Sequence, residues 1–415
     1  MEDIRMNKEI MLVRELAKQV AEMAAMPEQK EKIRLWKKLN NLEAERPMFM
    51  IDQVCWGEMN YEDELTLRCE DPVLRGIEWQ LRETIYRQKH MADDRPVRPY
   101  ITLGKAFSVT GVNMPSIVED GGRPGASTHV YVDQLPDDEA LETKLVMPVV
   151  TYDAEATRKT KELHENILDG ILGVKMNGYD GYFHYWDRIS WWRGVEAIMY
   201  DMADNPDFIH RLLKKVIAMH MHMLDQFEEL GLMTPGMDTV HCTGAYNDVM
   251  EGYGDDPFAE ANCHTAKNSW TYSAPQLFSM VSPEMHDEFD VQYIIPWFER
   301  FGLGYYGCCE PNDIKVDVLR KIPNLRKISM SPWVNEDLGA EKIGKDYVYS
   351  RKPNPANVAW DIFPEDVVRN EFQKTIDATS KHGCGVEFIL KDLTTVRNDP
   401  SRLWKWAEIA REFCK

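Results

Sequence analysis

The sequence predicts an α/β barrel folded as a single unit, on three observations. Short apolar segments alternate with amphipathic helices through the second half, the pattern of βαβ units in a parallel sheet. The 415 residues, 44% of them hydrophobic, supply the core such a unit needs. The positions just past the strands are rich in Cys, His, Lys and Asp, and that end of a parallel barrel is where reactive groups collect.

The first forty or so residues read as helix, with Leu35, Trp36 and Leu39 on one face of a charged segment that Pro47 ends. Met48–Ile51 is a short strand closed by Asp52. Residues 1–45 therefore form an N-terminal helical extension and residues 46–415 the barrel. From Cys55 to Val150 the pattern is irregular, an insertion in the first half, with a strand over Val97–Leu103 and a loop over Gly121–Gly125. Asn205-Pro206 opens a helix whose apolar residues Phe208, Ile209, Leu212, Leu213, Val216, Leu224, Phe227 and Leu230 keep helical spacing until Gly231. Asp238–Val240 reads as a strand. Ser282-Pro283 opens a helix that Pro296 kinks and Gly302 stops. Strands then fall at Leu303–Cys309, Leu325–Ser331, Tyr347–Ser350 and Val386–Leu390. Between and after them come helices over Asp313–Ile322, from the Asn335 cap to Gly344, over Pro364–Lys381 and over Pro400–Phe413.

With 49 basic and 69 acidic residues the net charge is −20, which disfavours phosphate backbones and anionic lipid, so neither nucleic acid nor membrane is expected as a partner. Eight cysteines are spread too thinly for a disulfide framework, and no signal peptide or spanning segment is read, so a reducing cytoplasm is expected. In that setting cysteines serve as core fillers, metal ligands or nucleophiles.

The strand ends bring together Asp52, His241 and Cys242, Cys308-Cys309-Glu310, Trp333, Arg351-Lys352 and Lys391-Asp392. Cysteine and carboxylate both bind zinc, so Cys309, Glu310 and His241 are candidate metal ligands, against the plainer reading of the cysteines as small buried fillers. Adjacent strand residues face opposite ways, so at most one of the two cysteines faces inward while strand geometry holds. Asp392 and Lys391 are candidate catalytic groups, as general base and cation. Asp52, Trp270, Tyr306, Trp333, Arg351 and Lys352 are candidate substrate contacts, the aromatic residues walling a planar apolar substrate. Solvated charges and core packing are the competing explanations. Cys263-His264 is a weaker metal pair, and His220 and His222, two apart on a helix, point in different directions.

With these residues in view, the stretch from Asn205 to Thr395 resembles the uroporphyrinogen-decarboxylase-like superfamily. The resemblance rests on Ser282–Met285, Tyr306-Gly-Cys-Cys-Glu-Pro311, Pro323–Ser329, Ser331-Pro-Trp333 and Ser350-Arg-Lys-Pro-Asn-Pro355, and more weakly on Arg46–Asp52. It implies a (β/α)8 TIM barrel and one of two activities: cofactor-free decarboxylation, or methyl transfer to a corrinoid protein with zinc held by a His-x-Cys element and a later cysteine. The decarboxylases carry an arginine-rich RQAGR segment after the first strand, where this chain reads Asp52-Gln-Val-Cys-Trp-Gly57. The resemblance is therefore to the methyltransferase branch, of the O-demethylase type. Cys309 maps onto that branch's cysteine, but Gly307 stands where its histidine would be and Lys391-Asp392 where the later cysteine is expected.

The expected function is zinc-assisted methyl transfer from a small methylated substrate, an aryl methyl ether first, to a corrinoid. Asp238-Thr-Val-His241-Cys-Thr-Gly244 misses the DxHxxG spacing of cobalamin binding by one residue, so the cobalamin is expected on a separate partner protein. A cofactor-free decarboxylase or lyase, and a non-enzymatic component of a corrinoid system, are the alternatives. A homodimer is compatible with either.

Overall fold

The structure is a computed structural model, and it describes residues 2–111, 114–120, 129–234, 236–250 and 265–415. The expected loop at Gly121–Gly125 and the Cys263-His264 pair lie outside the described residues.

The strands that position the site are β1 (Met48–Ile51), β2 (Tyr100–Gly104), β3 (Gly173–Asn177), β4 (Tyr182–Phe183), β5 (Trp270–Ser273), β6 (Leu303–Tyr306), β7 (Leu325–Met330), β8 (Val348–Arg351) and β9 (Gly385–Leu390). Seven of them form one parallel sheet in the order β1-β9-β8-β7-β6-β5-β4. Neighbours in space are neighbours in sequence, and the first strand lies against the last, with Met48 opposite Glu387 and Ile51 opposite Leu390. That order is compatible with a TIM barrel and unlike a doubly wound sheet, whose order reverses midway.

β2 and β3 form a separate parallel ribbon, Tyr100 opposite Gly173 through Gly104 opposite Asn177. In the chain it lies between the two edges of the main sheet. Gly178–Gly181 lead from β3 straight into β4. On the other side the Asp94 carboxylate accepts the Phe49 N–H at 2.8 Å and that of Asp93 accepts the Ile51 N–H at 2.9 Å. The outer N–H groups of β1, which would otherwise be an open edge, are thus satisfied by side chains.

Strand alternation sorts the side chains into two layers. Phe49, Ile51, Tyr306, Ile328, Met330, Tyr349, Phe388 and Leu390 belong to the largest apolar cluster, under the helices. The helix Pro206–Glu229 contributes Phe208, Ile209, Leu212, Leu213, Val216, Leu224 and Phe227 to it. At roughly 1.5–3 kcal/mol per buried side chain, this packing rather than its capping fixes that helix, since Asn205 makes no side-chain cap bond. Met48, Met50, Val348 and Ile389 pack with Trp36 and Leu39 of the second helix (α2, Pro27–Asn40), while Trp270, Tyr272, Leu303 and Tyr305 form a further cluster. The first helix (α1, Glu2–Ala25) instead covers the apolar face of the ribbon, Val13, Leu16, Ala17 and Val20 meeting Ile101 and Val174.

Several expected boundaries shift. The N-terminal helical segment is two helices and ends at Asn40 rather than at Pro47. Asp238–Val240 is not a strand of the main sheet: Thr239–Val240 pairs antiparallel with Thr243–Gly244, making a two-residue hairpin. His241 and Cys242 are its turn residues, at φ 39° and 68°, the doubly left-handed turn that suits hairpin twist. Ser282 caps its helix as expected, accepting the Met285 N–H, and a wide π-turn over Asp287–Val291 precedes Pro296. No helix among the described residues is long and apolar enough to cross a membrane.

Candidate active site

Because the main sheet is parallel, the C-terminal ends of its strands share one face, and the segments that follow β1, β6 and β9 meet there. The Asp52 N–H donates to Leu390 O at 2.8 Å, and the Asp392 N–H donates to Gln53 Oε1 at 3.2 Å. Lys391, first past β9, reaches Cys308 with Nζ 3.0 Å from Sγ. Cys308 and Cys309 hold their sulfurs 3.5 Å apart, Cys309 Sγ is 3.9 Å from Asp392 Oδ2, and Lys391 Nζ is 2.9 Å from the same carboxylate oxygen. Cys308 is buried and Cys309 exposed, so the pair spans the boundary between the interior and solvent.

Backbone geometry makes this pair possible. β6 ends at Tyr306, and Gly307 takes φ +92°, which releases the next residues from strand alternation. The expectation that at most one cysteine faces inward assumed a strand to Cys309; with the strand ending earlier, the two sulfurs share one location. A Cβ on Gly307 would stand 2.3 Å from Asn312 Nδ2 and 3.2 Å from Ser329 Cβ. A histidine, as the resemblance would place at this position, has no room. Gly307→Ala should lower stability by about 1–3 kcal/mol, from positive-φ strain together with that clash, read as a lower urea midpoint. An unchanged midpoint would show that the turn relaxes freely.

The hydrogen bond from Cys309 pushes the Cys308 thiol down; burial opposes this and the Lys391 ammonium assists, leaving it at about 7. Cys309 is held up because its proton is shared with that sulfur. Burial alone would lower Lys391, but the charges of Cys308 and Asp392 more than offset it and hold it up. Near neutral pH Cys308 is thus balanced between thiol and thiolate beside the Lys391 ammonium.

Aromatic and imidazole groups back it. His241 stacks on Tyr272 with ring centroids 3.7 Å apart, and His184 stands edge-on to the same tyrosine at 4.5 Å. Both imidazoles have a buried Nε2 without a hydrogen-bond partner among the described residues. Burial pushes His184 down to about 4 and His241 well below its usual value, so both stay neutral. His184 escaped the sequence reading because the two-residue strand before it is too short to show a period. Asp187, 3.6 Å from His184, is raised to about 6 by burial and by the charge of Glu310.

The other expected site residues scatter. Ser350 turns inward to Tyr305 Oη at 2.7 Å, so Arg351 turns outward, buried, pairing with Glu336 and Glu371. Lys352 stays inside, donating to Tyr305 Oη at 2.5 Å and Ser350 Oγ at 3.1 Å, and burial pulls it down to about 8. Tyr306 also faces outward, bonded to Asp290 and His286. Trp270 opens β5, at the opposite end from the thiols, its indole N–H on Ala245 O at 2.7 Å. Trp333 follows β7 and is 72% exposed. Asp52 is engaged by Arg95 at 2.5 Å. Glu310 is fully buried and folds back on the Cys308 N–H at 3.0 Å.

Among the described residues no three His, Cys, Asp or Glu side chains cluster closely enough to hold a metal ion. Cys309, Glu310 and His241 are therefore not gathered into one preformed ligand set. Two soft donors are in place, Cys308 and Cys309, and Lys391 occupies the position of a counter-charge beside them.

No family model matches the chain, and no curated protein sequence matches it. Among solved structures it is similar to a methyltransferase from Methanosarcina mazei, at 11% identity and a TM-score of 0.48, over 92% of this chain and 98% of that one. A likeness that distant assigns neither reaction nor substrate.

Proposed function

We propose that the chain is a methyltransferase that moves a methyl group from a small methylated substrate, an aryl methyl ether in the first instance, to a corrinoid protein supplied in trans. The observation that carries this reading is the Cys308–Cys309 pair beneath Lys391 at the strand ends. Soft sulfur donors at the open end of a parallel sheet suit the activation of a methyl–heteroatom bond, and a cation beside them suits an anionic leaving group. Lys391 supplies positive charge where a phenolate oxygen would form. Asp392, half exposed and 2.9 Å from Lys391, is the proposed group that holds or returns a proton at that oxygen.

Zinc belongs to this reading only as a proposal. Bound here it would act as a Lewis acid on the heteroatom, with Cys308 and Cys309 as sulfur ligands, but the third ligand is not in place. Metal analysis tests that part: about one zinc per chain, lost with Cys309→Ala, would support it, and full retention in the variant would move the ligands elsewhere.

The reaction is tested by following the cobalt(I) band of a reduced corrinoid protein while methoxylated aromatics and methylamines are added. The expected result is loss of the band with one substrate class and none in the Cys308→Ser, Cys309→Ser double variant. An unchanged band across the panel sinks the reading. Corrinoid-protein binding without turnover would favour a non-enzymatic role, and carbon dioxide release from a carboxylated substrate a lyase. Arg351, turned outward and ion-paired to Glu336 and Glu371, is not available to the lyase reading as its carboxylate-binding arginine.

A further inference from the structure

A cavity of about 290 Å3 lies apart from the thiol pair, between the polar face of the β2–β3 ribbon, the hairpin around Asp238–Tyr246 and the segment Asp93–Arg98. At about 30 Å3 per water it holds roughly ten waters, the size of a small organic molecule. Its charged lining is Arg87, Arg95, Arg98 and Lys175 against Asp93, Asp180 and Asp238, with Arg87 and Arg95 already paired to Glu83 and Asp52 behind the lining.

The donors left over belong to Arg98. Asp238 is already saturated: it accepts from Tyr100 Oη at 2.6 Å, Tyr246 Oη at 2.7 Å and Lys175 Nζ at 3.0 Å. Lys175 spends another donor on Gly236 O at 2.6 Å. Arg98 is clamped between the rings of Tyr100 and Tyr246, its guanidinium carbon 5.3 and 5.5 Å from their centroids. Its Nε donates to Tyr100 Oη at 3.1 Å and lies 3.5 Å from Asp238 Oδ1, while its two terminal nitrogens have no hydrogen-bond partner among the described residues. A rigid, flat guanidinium with both terminal nitrogens unspent in a cavity is a carboxylate receptor, because its two outer N–H groups match both oxygens at little entropic cost.

The opposite end asks for a donor. Asn177 also lines the cavity, and its Oδ1 is buried without a partner. In the ribbon register Asn177 stands four residues beyond the level of Tyr100, about 13 Å along the strand direction at about 3.3 Å per residue. Met50, Val97 and Met237 supply apolar wall between the two ends.

We propose that this cavity binds a small monocarboxylic acid, its carboxylate on the Arg98 fork, its apolar body against Met50, Val97 and Met237, and a hydroxyl or amine donor turned to Asn177. The inference does not rest on methyl transfer and holds or fails separately from it. Dianionic phosphate is disfavoured, since Asp180 and Asp238 line the same space.

The probe is 4-hydroxybenzoate, titrated calorimetrically into the full chain, with benzoate, 4-hydroxybenzamide and inorganic phosphate as comparators. Saturable 1:1 binding of the two acids is expected, weaker for benzoate, with the amide and phosphate at least tenfold weaker. Arg98→Met should cost at least tenfold in affinity for both acids. Asn177→Leu should weaken 4-hydroxybenzoate and leave benzoate unchanged. Should Arg98→Met fail to fold, Arg98→Lys keeps the charge and the ring contacts but loses the fork, and several-fold weakening is then the expected result. Unchanged acid affinity in a folded Arg98 variant, equal binding of the amide, preferential binding of phosphate, or no binding of either acid at millimolar concentration overturns the proposal.

Discussion

Glu387→Leu is expected to destabilise the chain by about 3–5 kcal/mol, because it leaves the Lys327 ammonium charged and unpaired in the interior of the sheet. Both side chains are fully buried, with Nζ 2.7 Å from Oε2. Thr243 Oγ1 donates to the same carboxylate oxygen at 2.7 Å, and Lys327 also reaches Gly244 O at 3.1 Å, so the pair anchors the hairpin to β7 and β9. Lys327 stands 5.1 Å from the Trp36 ring and 5.7 Å from that of Trp270, which softens but does not replace a counter-charge. Lys327→Met combined with Glu387→Leu should recover most of the loss, since replacing a whole buried pair by apolar groups is often neutral. Urea unfolding of the two variants decides it. A single variant as stable as the parent would mean that Lys327 sheds its proton or reaches water.

Lys391→Met should slow alkylation of the thiol pair at pH 7 by roughly tenfold, one pKa unit being one decade in thiolate. The reactive species is the thiolate, so the rate rises with pH through the folded-state value, about 7 for Cys308. Removing an ammonium 3.0 Å from its sulfur raises that value and moves the midpoint of the rate profile upward. Cys309→Ser weakens the donor to the same sulfur and shifts the profile in the same direction. The measurement is iodoacetamide modification of chelator-treated protein against pH, read as one coupled pair. A parent profile centred near pH 9, unmoved in the lysine variant, would show that the contact does not persist in solution.

Much of the frame was legible along the chain, for a local reason. The β7 and β9 strands, the caps at Ser282 and Asn335 and the long helix after Pro206 are encoded by period, turn residues and caps within a few positions. So was the rule that Cys309 and Lys391 share one end, since parallel strands point the same way. Local pattern stops short where a single residue of offset reverses the sense of a side chain. Arg351 and Lys352 are adjacent, and only the inward bond of Ser350 to Tyr305 decides which of them meets the interior. The outward sense of Tyr306, bonded to Asp290, is settled in the same way.

The sequence by itself determined the parallel α/β class and the end of the sheet on which Cys309, Lys391 and Asp392 gather. Only the tertiary structure decided that Gly307 breaks β6 early enough to bring two sulfurs together, that His241 sits in a hairpin turn, and that Asp93 and Asp94 satisfy the edge of β1. The physical reason is range. Hydrophobic period and caps act over one turn or one strand, whereas the partner of a charge, the φ of a glycine and the inward or outward sense of a side chain are settled by groups tens to hundreds of residues away.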